Sequence, residues 1–122
     1  MHETAITVSG NLVTDPDLGH TQEGVAVARF RVASTSRYRN SQGQWADGET
    51  LFITCTAWRG LAESLVNAQL KKGALVIVVG RLRQTSYQGS DGSAVTAFEI
   101  TVTDMGESVR AAARQEVSAD TA

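Results

Sequence analysis

One cysteine, one proline and no apolar run longer than ALVIVV at 74–79 set the first limits on this chain of 122 residues. A lone thiol, Cys55, forms no disulfide within the chain and leaves no CxxC pair for zinc or redox chemistry. Six apolar residues fall far short of a bilayer span. The start, MHETAITV, has no basic cluster and alternates instead of forming an apolar block, so it does not read as a secretory signal. A cytoplasmic protein is the expectation. His2 and His20 are isolated, with no metal-ligand spacing around them. Asp15 and Asp17 flank Pro16 and are explained as turn formers. No Ser/His/Asp grouping, phosphate-cradling glycine loop or paired catalytic carboxylates stand out, so neither an enzyme nor a bound cofactor is expected.

What the chain does have is length for one domain, 42% hydrophobic and 20% charged residues, and an uneven charge distribution. The net charge is −2, yet nine basic residues and only three acids lie between Arg29 and Arg83. A basic middle inside an acidic whole suits a local anion-binding surface, and equally suits solvated strand faces.

Period-two alternation dominates the chain. It runs through TAITVSGNLV at 4–13, where Gly10 marks a bulge or a close backbone approach. A turn at 14–17 and another at 22–24 bracket a short extended piece, and a β pattern resumes over 25–36. Asn40 to Gly43 reads as a hairpin tip, with Asp47-Gly48 as a second turn signal. The strand from Thr50 to Trp58 puts Leu51, Ile53, Cys55 and Ala57 on one face, a core face on which Cys55 reads as an inert buried thiol. Its other face carries Phe52 and Trp58 with Thr54 and Thr56 between them. A core has no use for that arrangement, whereas a flat surface that stacks something would use it. GLAESLVNAQLKK at 60–72 switches to helical spacing, with Lys71 and Lys72 in the last turn and Gly73 as the stop. A strand from 74 to 83, a hairpin loop from Tyr87 to Ser93 and a strand from Ala94 to Thr103 complete the order. In the last strand Phe98, Ile100 and Val102 point to one side.

Three strands, one helix and two strands give an all-β class. They predict the five-stranded OB-fold barrel, with its helix between strands three and four and with extended hairpins. The domain is expected over 1–106, with 107–122 as a short C-terminal tail, helical or loose.

Six phrases then occur in one continuous register over 4–105: VSGNLVTDPDL, GVAVARFRVAS, RYRNSQGQWADGET, CTAWRGLAESL, LKKGALVIVVGRLR and YQGSDGS. In this order and spacing they resemble the bacterial single-stranded DNA-binding proteins (SSB). The resemblance implies an OB-fold that wraps single-stranded DNA in replication, recombination or repair, at the nucleoid, as a homotetramer built from dimers. It carries base stacking over to Tyr38, Phe52, Trp58 and Tyr87. Arg37, Arg39, Arg59, Lys72, Arg81 and Arg83 are the candidate phosphate contacts, each also readable as a solvated charge. Arg29 and Arg31 are weighed as tetramer contacts. On the residues alone Tyr38 also reads as a hairpin-packing ring and Trp58 as a cap on the barrel end, and Trp45 carries no assigned role. Relatives often have Trp where Tyr38, Phe52 and Tyr87 stand, and basic residues where Thr54 and Gly60 stand. They also end in an acidic tip closing with Pro-Phe that recruits repair enzymes, whereas this chain ends SADTA. A short paralogue without that recruitment is the expectation. The alternative is an OB-fold interaction module that assembles a primosome or recombination complex, with DNA as a minor ligand.

Overall fold

The long alternating stretches become long strands. The computed structural model describes residues 2–110. Its elements are β1 (Ala5–Leu12), β2 (Asp17–His20), β3 (Ala26–Arg39), β4 (Trp45–Trp58), α1 (Gly60–Asn67), β5 (Leu75–Gln88) and β6 (Ala94–Glu107). β1 pairs antiparallel with β5, β5 with β6, and β3 with β4, while β4 and β6 run parallel. β3 returns to β1 through Asn11↔Ala33 and Leu12↔Val32, which closes the ring. That ring of β1, β3, β4, β6 and β5, with α1 before β5, is the expected OB-fold barrel. The short β2 adds to β3 from outside.

Inward residues fill the barrel: Val8, Leu12, Phe30, Val32, Ile53, Cys55, Val76, Val78 and Ile100 are all buried, and α1 adds Ala62 and Leu65. Each full-size aliphatic or aromatic side chain removed from water here contributes roughly 1.5–3 kcal/mol. Gly10 makes the closure possible. A Cβ there would press on the Ala33 carbonyl and lie 2.8 Å from Val32 Cγ1, so β1 crosses to β3 only where no side chain intervenes.

Several expectations are corrected. The helix stops at Asn67, five residues before the expected end at 72, and Gln69 turns left-handed with φ 58. Lys71, Lys72 and Gly73 therefore form a separate turn instead of the helix stop. The Gly73 N–H donates to Leu12 O at 2.8 Å, and the Lys72 N–H donates to the Asp15 carboxylate at 2.7 Å. Leu70 still packs against the core without a further helical turn, and the chain is freed to meet β1. Asp47-Gly48 is not a turn; it lies inside β4, where the register slips by one residue between Thr35 and Arg37. A Cβ at Gly48 would sit 2.6 Å from Ser36 Oγ, so the glycine lets the two strands stay close across that bulge. Leu51 has core parity but is 52% exposed, because β4 meets β6 only from Thr54 onward. Phe98 shares parity with Ile100 and Val102 yet is exposed for the same reason, on a part of β6 that pairs with β5 alone.

The last strand continues to Glu107, and the buried Ser108 donates its N–H to Leu75 O at 2.8 Å. The expectation for the tail beyond residue 110 lies outside the described residues. Among the described residues no helix is long and apolar enough to cross a membrane, and no three His, Cys, Asp or Glu side chains gather as a metal site.

Candidate nucleic-acid interface

Because β4 and β6 run parallel, the β3–β4 and β5–β6 hairpins leave the barrel at the same end. Beyond the barrel each is a two-stranded ribbon, over 35–50 and 84–98. Their tips are built by local hydrogen bonding. The Asn40 side chain accepts from the Gln42 and Gln44 N–H groups, each at 3.0 Å, and Gly43 supplies the positive φ of 76. At the other tip Asp91 accepts from both the hydroxyl and the N–H of Ser93, at 2.6 and 3.0 Å. The Ser93 side-chain bond, then its backbone bond, holds the Asp91 carboxyl below its usual range.

Cross-strand register sorts the side chains by face. Val27 opposes Trp58, Arg29 opposes Thr56, Arg31 opposes Thr54 and Ala33 opposes Phe52. All of these share the parity that faces away from the barrel interior, although Thr56 itself is covered. β6 continues the face with Thr101 beside Thr56 and Glu99 beside Thr54. β5 extends it through Arg81, Arg83, Thr85 and Tyr87, opposite Thr101, Glu99, Ala97 and Val95. One outer face thus carries Phe52, Trp58 and Tyr87 with Arg29, Arg31, Arg81 and Arg83. The rings are 52%, 40% and 57% exposed, too open for core residues. The Arg31 guanidinium lies 5.4 Å from the Phe52 ring centroid, so it braces one aromatic, and among the described residues it has no carboxylate partner.

The remaining expected residues divide. Tyr38 is also 52% exposed, but it opposes Ala46 on the reverse face of the ribbon, not the face of Phe52. Arg37 and Arg39 alternate away from it. Arg37 opposes Asp47 and pairs with it at 3.5 Å; Arg39 opposes Trp45 and lies 5.5 Å from its ring centroid. Arg81 pairs with Glu3 at 2.9 Å. Both ion pairs are exposed, so they are weak and yield readily to a competing anion. Arg59 is exposed at the turn between Trp58 and α1, with φ 61. Lys72 sits before β5, at the opposite end of that strand from Tyr87, and does not join the aromatic face.

Arg29 and Arg31 are the residues that sequence reading set aside. Their parity was visible; their facing Thr56 and Thr54 was not, because register between strands is not written in either strand alone. Thr56, expected on the open face, is buried, and its hydroxyl has no hydrogen-bond partner among the described residues.

The model of the single-strand binding protein family matches residues 3–107. The chain belongs to that family. Single-stranded DNA-binding protein 2 of Streptomyces coelicolor (strain ATCC BAA-471 / A3(2) / M145) is 50% identical to it over 111 residues, covering 90% of this chain and 55% of that protein. The single-stranded DNA-binding protein of Mycobacterium tuberculosis (strain ATCC 25618 / H37Rv) is 47% identical over 109 residues, covering 88% and 66% respectively. The crystal structure of a small single-stranded DNA-binding protein from Streptomyces coelicolor superposes with a TM-score of 0.78 at 33% identity, covering 90% of this chain and 98% of that one. This single-strand binding protein family member therefore spans between about half and two thirds of the length of these curated relatives.

Proposed function

We propose that this chain binds and protects single-stranded DNA without regard to base sequence, during replication, recombination or repair at the nucleoid. The observation that carries the reading is the exposed outer face on which Phe52, Trp58 and Tyr87 alternate with arginines. Every base has a π face, so a ring platform accepts any of them, at roughly 1–3 kcal/mol per stacked base. Guanidinium groups beside the rings neutralise phosphates and release counterions. Tyr38 belongs to the same set through the reverse face of its ribbon. Arg37, Arg39, Arg59, Arg81 and Arg83 are the phosphate contacts on this reading, joined by Arg29 and Arg31, with Lys72 a peripheral one. The alternative, an interaction module with DNA as a minor ligand, has no observation of its own in its favour.

A homotetramer built from dimers fits the rest of the surface. Ile77 and Val79 stand 41% and 40% exposed on the outward side of β5, and among the described residues the stretch 5–10 of β1 pairs only with β5, leaving its other edge free. An apolar sheet face beside an open strand edge is what a second copy would cover.

The DNA reading is tested with end-labelled oligo(dT), following anisotropy at rising salt for the parent and for Phe52→Ala. Affinity is expected to fall steadily with salt, and Phe52→Ala to bind roughly 5- to 100-fold more weakly. A flat salt response together with unchanged Phe52→Ala affinity would overturn the assignment.

A further inference from the structure

Trp45 is the most exposed aromatic of the described residues, at 59%, and it stands outside the buried core cluster. It lies in β4 one residue from the hairpin tip, opposite Arg39. Alternation along β3 places Ala33, Thr35, Arg37 and Arg39 on one face. The 2.7 Å contact between the Thr35 and Thr50 hydroxyls and the Arg37–Asp47 pair confirm that this face continues through the bulge. The extra β4 residue at that bulge restores Trp45 to the side of Phe52, although the two differ in parity along the strand. Trp58, Phe52 and Trp45 therefore form one line on the outer face, at intervals of six and seven residues. Arg29, Arg31, Arg37 and Arg39 run beside it on β3.

We infer that Trp45, braced by Arg39, is an additional base-stacking platform at the outer end of this line, for an unstacked nucleobase of the bound strand. The inference rests on the single-stranded DNA reading above and extends it beyond the barrel. Three features favour that ligand over a protein surface. The guanidinium lies 5.5 Å from the ring centroid and the indole is still 59% exposed, which leaves ring surface for a base. Among the described residues Arg39 has no carboxylate partner, so its charge remains for a phosphate next to a base stacked on the ring. The Asn40 side chain, holding the Gln42 and Gln44 N–H groups, closes the tip immediately beside this pair and sets where the ring stands. A hydrophobic partner would leave the Arg39 charge unmatched; a polyanion matches it.

The chain has two tryptophans, Trp45 and Trp58, so each can be watched alone. Trp58→Phe leaves Trp45 as the only indole, and Trp45→Phe leaves Trp58. Both proteins are titrated with short and long oligo(dT), and light scattering records their mass. The expected result is quenching of both. The Trp45-only protein needs the longer oligonucleotide, and Trp45→Ala binds long oligo(dT) roughly 5- to 100-fold more weakly than the parent at unchanged mass. Quenching of Trp58 with no response from Trp45 would overturn this inference while leaving the DNA reading intact. Loss of both signals, with no anisotropy change of the labelled DNA, would overturn that reading and this inference with it. A lower subunit number for Trp45→Ala would assign the ring to a subunit contact and overturn the inference as well.

Discussion

At the residue scale, the outer and inner faces of β4 use opposite chemistries only one residue apart. Cys55 shows the inner one. It is fully buried between Phe30 and Ile100, its cross-strand neighbours, and burial, with Glu99 adding to it, pushes its thiol from 9.0 up to about 12. The folded state thus holds this proton more tightly than the unfolded chain does. Its stabilising share is complete below 9.0 and declines as pH rises from there towards about 12. Urea denaturation at several pH values across that window is expected to show stability falling more steeply in the parent than in Cys55→Ala, by up to about 1.4 kcal/mol per pH unit. Equal slopes would mean that the thiol is not held neutral by the fold.

At the scale of elements, the two hairpins separate into a part closed into the barrel and a two-stranded part beyond it. The β3–β4 ribbon is held by its own ladder, the Thr35–Thr50 contact and the Asn40 cap. Asn40→Ala is expected to speed amide exchange at Gln42 and Gln44 by several-fold, while exchange at Val78, deep in the barrel, stays unchanged. Exchange that rises equally at both places would tie the hairpin tip to global stability. These ribbons also mark where sequence reading succeeded and where it stopped. Phe52 and Trp58 were legible as a non-core face because alternation within one strand is a local property. Leu51 and Phe98 were not legible as exposed, because their parity is that of the core and only the strand pairing ends too early to cover them. Trp45 was unreadable for a related reason. A one-residue register slip at the bulge decides its face, and no periodicity within β4 encodes a slip against β3. The helix ended early because the turn at Lys71–Gly73 is claimed by β1 and Asp15, contacts some sixty residues away in the chain.

At the scale of the whole molecule, the charge that nearly cancels over the full sequence does not cancel over the surface. Arginines gather on the face with the rings, while the start of β5 shows Ile77 and Val79 outward beside a β1 edge that is unpaired among the described residues. If copies join through that second surface, Ile77→Asp places a charge in the contact. The expected outcome is a smaller particle by light scattering, with the far-UV circular dichroism of the parent. An unchanged mass would place the subunit contact elsewhere.

The bulge between Thr35 and Arg37 has a mechanical side as well. A two-stranded ribbon beyond a closed barrel has no third strand to flatten it, so it twists strongly and bends where its ladder is interrupted. The barrel then acts as an anvil and the ribbon as a leaf spring fixed at one end. A polymer that varies in base size from one position to the next would meet rings mounted on a compliant arm. Under the proposed single-stranded DNA reading, tolerance of base sequence is then a matter of stiffness as much as of chemistry.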